Sequence, residues 1–105
     1  MSNNLERIFR QKVVKWLEDL PNTVVLPVHQ LTIHGTPDLL CCIAGKFVAL
    51  ELKASIKANR RKKQVHILEK INTKGLGSGF FVYPENWDEI KEKLMNLVEK
   101  QKEKK

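Results

Sequence analysis

The sequence predicts an α/β domain in the order αβββαβα, a small mixed sheet flanked by helices. Three observations carry that expectation. Apolar residues recur at helical spacing at both ends of the chain, two apolar runs near its middle are separated by only Ala44-Gly45, and a segment of helical period stands between that pair and one more short apolar run. A tight turn joins antiparallel strands, whereas an intervening helix allows a parallel return by a right-handed crossover, so the sheet is expected to be mixed.

Residues 2–20 open on Ser2-Asn3-Asn4, good N-cap types, and then place Leu5, Ile8, Phe9, Val13, Trp16, Leu17 and Leu20 at helical period. Pro21-Asn22 ends that helix. Residues 23–26 are short and β-branched, and Pro27 confines the strand to an edge or stops it early. Residues 28–36 are mixed in character and read as loop with at most a short strand. Residues 38–43 and 46–53 form two apolar strands around Ala44-Gly45, a hairpin buried on both faces. A polar connection, 55–59, leads to a helix over 60–72 with Val65, Leu68 and Ile71 inward, closed by Lys74-Gly75 and followed by Gly77 and Gly79. Residues 80–83 make the fourth strand. Residues 85–99 form a last amphipathic helix on Trp87, Ile90, Leu94, Leu97 and Val98. One domain is expected over 1–100, with 101–105 a charged tail that frays.

A chain of 105 residues can bury roughly two-thirds of its unfolded surface, enough for a single core without metal or disulfide staples. No apolar run has the ~18 residues that a membrane span needs, and the N-terminus lacks a secretory pattern, so the expected location is the cytoplasm. Cys41 and Cys42, the two cysteines, are adjacent; they read as reduced core residues, not as a disulfide framework or a zinc pair. Nineteen Lys and Arg against twelve Asp and Glu leave a formal charge of +7, which fits a polyanionic partner, most simply nucleic acid, though ribosomal, membrane-surface and merely soluble proteins share it.

The chemistry-bearing residues emerge from strand register. If Ala44-Gly45 is a two-residue turn, Ile43 faces Lys46 and Asp38 falls opposite Glu51. Like charges paired across a ribbon destabilise it, and a divalent cation such as Mg²⁺ or Mn²⁺, which favours hard oxygen ligands, would compensate. The two-residue period of a strand adds Lys53 to the face of Glu51. On the first helix, at about 100° per residue, Glu6 projects between Val13 and Leu17, so its carboxylate is expected to point inward as a third acid of the site. It also fits as the N3 residue of an Asn3 capping box. Gln64 projects between Ile67, Ile71 and Leu68, either as a satisfied buried amide or as a partner of the site. Lys57, Arg60, Arg61, Lys62 and Lys63 form either a solvated face or a phosphate-binding run near Gln64. His29 and His34 are loop residues without a partner at metal-ligand spacing. Trp16 and Trp87 fill the core or a subunit contact.

Gly35-Thr36-Pro37-Asp38, twelve intervening residues and then Glu51-Leu52-Lys53 resemble the signature of the PD-(D/E)xK nuclease superfamily. With Glu6 on the first helix, Gln64 on the next and the strand that closes at Tyr83, the chain resembles the virus-type replication and repair nuclease branch, VRR-NUC, in its stand-alone phage-like form. The resemblance implies a restriction-endonuclease-like core and a Mg²⁺- or Mn²⁺-dependent deoxyribonuclease. It implies that Asp38, Glu51, the Leu52 carbonyl and Glu6 serve as metal ligands, with Lys53 beside the water and Gln64 completing the site. Related RecB-like nucleases often carry tyrosine four residues after the glutamine; here Leu68 stands there. Stand-alone members resemble dimeric Holliday-junction resolving enzymes, so branched DNA and a homodimer are implied. The rivals are a non-catalytic nucleic-acid-binding module, a restriction-type endonuclease, and a nuclease subunit that needs a helicase partner.

Overall fold

The computed structural model describes residues 2–28 and 37–103. The loop expected over 28–36 lies outside the described residues save for Val28, and so do His29, His34 and the Gly35-Thr36 of the motif. The elements are α1 (Ser2–Glu18), β1 (Thr23–Pro27), β2 (Leu39–Ile43), β3 (Lys46–Leu52), α2 (Lys62–Thr73), β4 (Ser78–Val82) and α3 (Trp87–Glu103). The sheet order is β1-β2-β3-β4, antiparallel across its first three strands and parallel between β3 and β4. The αβββαβα order and the mixed sheet are those expected. Strand β1, with Pro27 as its last residue, is an edge.

Register follows from the turn. Ala44 and Gly45 both have positive φ, 51° and 82°, the geometry whose twist matches a two-residue hairpin, and Ile43 pairs with Lys46. Alternation then sorts the side chains. Leu39, Cys41 and Ile43 of β2 and Val48, Leu50 and Leu52 of β3 face one way, onto Phe9, Val13 and Leu17 of α1 and Trp87, Ile90, Leu94 and Val98 of α3. Ala49 faces the other way, against Leu68 and Ile71 of α2, with Leu40, Ile67 and Phe81 around them. The sheet is therefore sandwiched between α1 with α3 and α2 alone. Trp87 meets the edges of Phe9 and Trp16 at 6.2 and 5.3 Å between ring centroids, so both tryptophans serve the core. Cys41 is buried, which together with the neighbouring Cys42 pushes its thiol up to about 12 and leaves it a small inert hydrophobe.

Several details differ from the sequence expectation. Cys42, read with Cys41 as a core residue, is exposed, on the opposite face of β2. Leu5 and Ile8 share the helical spacing of the core stripe yet are 65% and 58% exposed; the packed part of α1 begins at Phe9. Helix α2 starts at Lys62 instead of residue 60, leaving Arg60 and Arg61 as the extended chain entering it. Helix α3 continues to Glu103, so part of the stretch read as a charged tail is helical, and the Gln101 side chain accepts a hydrogen bond from Asn22 at 2.9 Å.

Gly77 lies where the chain leaving α2 crosses the start of β3. A Cβ there would overlap the Phe47 carbonyl oxygen, which is backbone of the sheet and has nowhere to go. Gly77→Ala should therefore destabilise the fold by about 3 kcal/mol, read as a lowered urea midpoint at unchanged slope; an unchanged midpoint would contradict this packing.

Candidate active site

The C-terminal end of β3, the start of β2 and the N-terminus of α2 meet at one end of the sheet, where the register brings the acidic residues together. Leu39 pairs with Leu50, so Asp38, one residue before β2, falls alongside Glu51. Its backbone carbonyl accepts from the Val28 N–H at 2.8 Å, and its side-chain Oδ2 accepts from the Leu52 N–H at 2.8 Å. The carboxylate is thus fastened directly to β3. Glu51, Lys53 and Ala49 share the face on which α2 packs.

Among the described residues Glu51 is the buried charged one, 5% exposed. Its Oε2 accepts from Gln64 Nε2 at 2.7 Å and lies 3.6 Å from Lys53 Nζ. The same Gln64 amide turns its Oε1 to Lys53 Nζ at 2.9 Å and to the Arg61 backbone N–H at 3.2 Å. One amide therefore joins the acid, the lysine and the start of α2, using its donor toward the anion and its acceptor toward the cation. Burial, and next the negative charge of Asp38, push the Glu51 carboxyl up to about 7 against the opposing pull of Lys53.

Whether these residues fit a metal can be tested on one atom. Glu51 Oε1 is buried with no hydrogen-bond partner among the described residues, an arrangement costly for a carboxylate oxygen. With Asp38 beside it, this oxygen belongs to a hard anionic pair of the kind Mg²⁺ and Mn²⁺ bind, so the donor set fits such an ion. Leu52 is the last residue of β3. Glu6, expected as a third acid, is not gathered with Asp38 and Glu51. It is half-buried on α1, and among the described residues no three Asp, Glu, His or Cys side chains come together closely enough to hold one ion. Among the described residues no hydrogen bond or ion pair joins Glu6 to Asp38, Glu51 or Lys53.

What reaches the site from α1 is Arg10, one turn further on, whose Nη2 donates to Asp38 Oδ1 at 3.2 Å. Sequence reading passed it over. The available signal was its spacing of four from Glu6, which puts it on the same side of the helix, with a side chain long enough to reach. Lys57, Arg60, Arg61, Lys62 and Lys63 are exposed around the entry to α2. Of these, Arg60 is held with its guanidinium 4.3 Å from the centre of the Phe81 ring and 5.2 Å from that of Tyr83.

No protein-family model and no curated protein matches the chain. A solved structure described as "VRR_NUC domain" superposes with a TM-score of 0.71 over 84% of this chain and 95% of that one, at 19% sequence identity. That identity speaks to the path of the backbone. The chain has the fold of a VRR_NUC domain, a restriction-endonuclease-like architecture of the kind that Pro37-Asp38 and Glu51-Leu52-Lys53 resemble.

Proposed function

We propose that this chain is a Mg²⁺- or Mn²⁺-dependent deoxyribonuclease that hydrolyses phosphodiester bonds by the structure of the DNA, with four-way junctions as its preferred substrate. The observation that carries the reading is that Lys53 and Gln64 converge on one oxygen of the buried Glu51 carboxylate, with Asp38 beside it, while the other oxygen has no hydrogen-bond partner among the described residues. Asp38 and Glu51 would hold the ion, which would supply charge neutralisation at the phosphate oxygens and a water of lowered pKa. The protein's part is orientation. The Leu52 N–H fixes Asp38; Gln64 fixes Glu51 and at the same time holds the Lys53 ammonium, which would orient or activate a water. Preorganised charge of this kind costs no rearrangement at the moment of reaction.

Lys57, Arg60, Arg61, Lys62 and Lys63 would contact the sugar–phosphate backbone, which positions a strand without reading its sequence. Cutting two symmetric strands of a junction calls for two copies, and Val24 and Leu26 on the edge strand β1, both more than half exposed, or Met95 on α3, offer apolar surface for a twofold homodimer. The cell interior, where DNA is met and Cys41 and Cys42 stay reduced, is the compartment this reading assigns.

The test is incubation of the protein with four-way junction, flap, single-stranded and linear duplex DNA in Mg²⁺, Mn²⁺ or EDTA. Metal-dependent cutting, fastest on the junction, supports the proposal. Binding in EDTA with no cutting under any condition would point to a non-catalytic module, cutting only with an added helicase to a subunit, and cutting of duplex at one fixed sequence to a restriction-type enzyme.

A further inference from the structure

We propose that Arg10 is a substrate-contacting residue, holding a non-bridging phosphate oxygen of the DNA strand beside Asp38; this rests on the nuclease reading of the same site. The geometry separates its role from simple neutralisation. A guanidinium that serves only to pair a carboxylate is best placed with two parallel N–H bonds at about 2.8 Å. Arg10 instead makes one contact to Asp38 among the described residues, Nη2 to Oδ1 at 3.2 Å, and its side chain remains 29% exposed. A guanidinium carries five N–H donors in a fixed fork, so donors remain for a second acceptor on the open side.

The other oxygen of Asp38 is already held by the Leu52 N–H, and the Lys53 ammonium is engaged by Gln64 and Glu51. Among the described residues the Arg10 guanidinium, with one contact and a side chain 29% exposed, keeps the most free donors of the cations at the site, against one for the more enclosed Lys53 ammonium. Its position completes a grip. Arg10 arrives from α1, which packs on one face of the sheet, whereas Arg60 and Arg61 enter from the α2 side. A strand crossing this end of the sheet would have fixed cations on both flanks and the acidic pair beneath the phosphate between them. Phosphate matches the guanidinium fork in shape as well as charge, and the Arg10 side chain is already anchored in place by Asp38.

The experiment measures binding apart from cutting. Labelled junction and single-stranded DNA are titrated in EDTA at several salt concentrations with wild type, Arg10→Ala, Arg10→Lys and Lys12→Ala. Lys12 is an exposed lysine of the same helix, and its loss controls for net charge. Arg10→Ala should weaken binding by about tenfold beyond Lys12→Ala and lower the salt slope by about one. Arg10→Lys should recover part of this. In parallel, calorimetric titration of Mn²⁺ into DNA-free protein should show Arg10→Ala binding the ion at least as tightly as wild type, because a competing cation has left Asp38. Equal DNA affinities for Arg10→Ala and Lys12→Ala, or full recovery with lysine, would overturn the proposal. If wild type takes up no Mn²⁺ and cuts nothing, the nuclease reading falls while the DNA titrations still decide the Arg10 contact.

Discussion

Lys53→Ala and Asp38→Ala should each lower metal-dependent DNA cleavage by about 10²-fold or more, with the fold intact. The size follows from what each group does. Removing a preorganised charge aimed at the reacting atoms of an enzyme typically costs a factor of 10²–10³, about 3–4 kcal/mol of barrier. Lys53 is partly exposed and sits at the end of β3, so its truncation opens no cavity in the packed layers. Asp38 precedes β2, and its loss leaves the Leu52 N–H without its acceptor, at a cost of about 1–3 kcal/mol that the folded state should survive. Single-turnover cleavage with unchanged far-ultraviolet dichroism is the measurement. Cutting at the wild-type rate by either variant would contradict the assignment of both residues.

Glu51 governs the second large effect, which appears without metal. Its carboxyl is raised from an ordinary value of 4.5 to about 7, burial being the main cause and Asp38 the next. Between those two values the folded protein keeps a proton that the unfolded chain has released. Stability from this group is therefore fully present below about pH 4.5 and is lost as pH rises through 7, by an amount on the order of 3 kcal/mol. Glu51→Gln abolishes the ionisation and retains an acceptor for Gln64. The metal-free variant should match wild type near pH 5, exceed it at pH 8, and gain nothing from added Mg²⁺. Urea denaturation in EDTA across that range reads the difference; parallel curves for the two proteins would show that Glu51 does not titrate in this window.

Much of this site was legible in the sequence because it depends on counting. A two-residue turn leaves one register, and that register with a period of two brings Asp38, Glu51 and Lys53 together without any knowledge of packing. Gln64 was legible for a related reason, as a polar group in an apolar helical stripe. Glu6 and Arg10 show where counting stops. Helical projection gives a direction around the axis but not the point along it where packing begins, and among the described residues the first buried side chain of α1 is Phe9. Glu6 has the right bearing before that point. Arg10 lies past it, and its long side chain makes the contact across 28 residues of sequence that no local pattern records. The end of α3 was misplaced for a simpler reason, since charged residues suit an exposed helix as well as a loose tail.

The hairpin also constrains how this protein can change over evolutionary time. Inserting or deleting one residue within β3 between the turn and Glu51 would exchange the two sides of the strand's end, driving Glu51 and Lys53 into the layer beneath α1 and α3 and turning Leu52 outward. Length variation in this ribbon is closed to drift, so its lineage can diverge there by exchanging one side chain for another while the spacing from Asp38 to Lys53 stays constant.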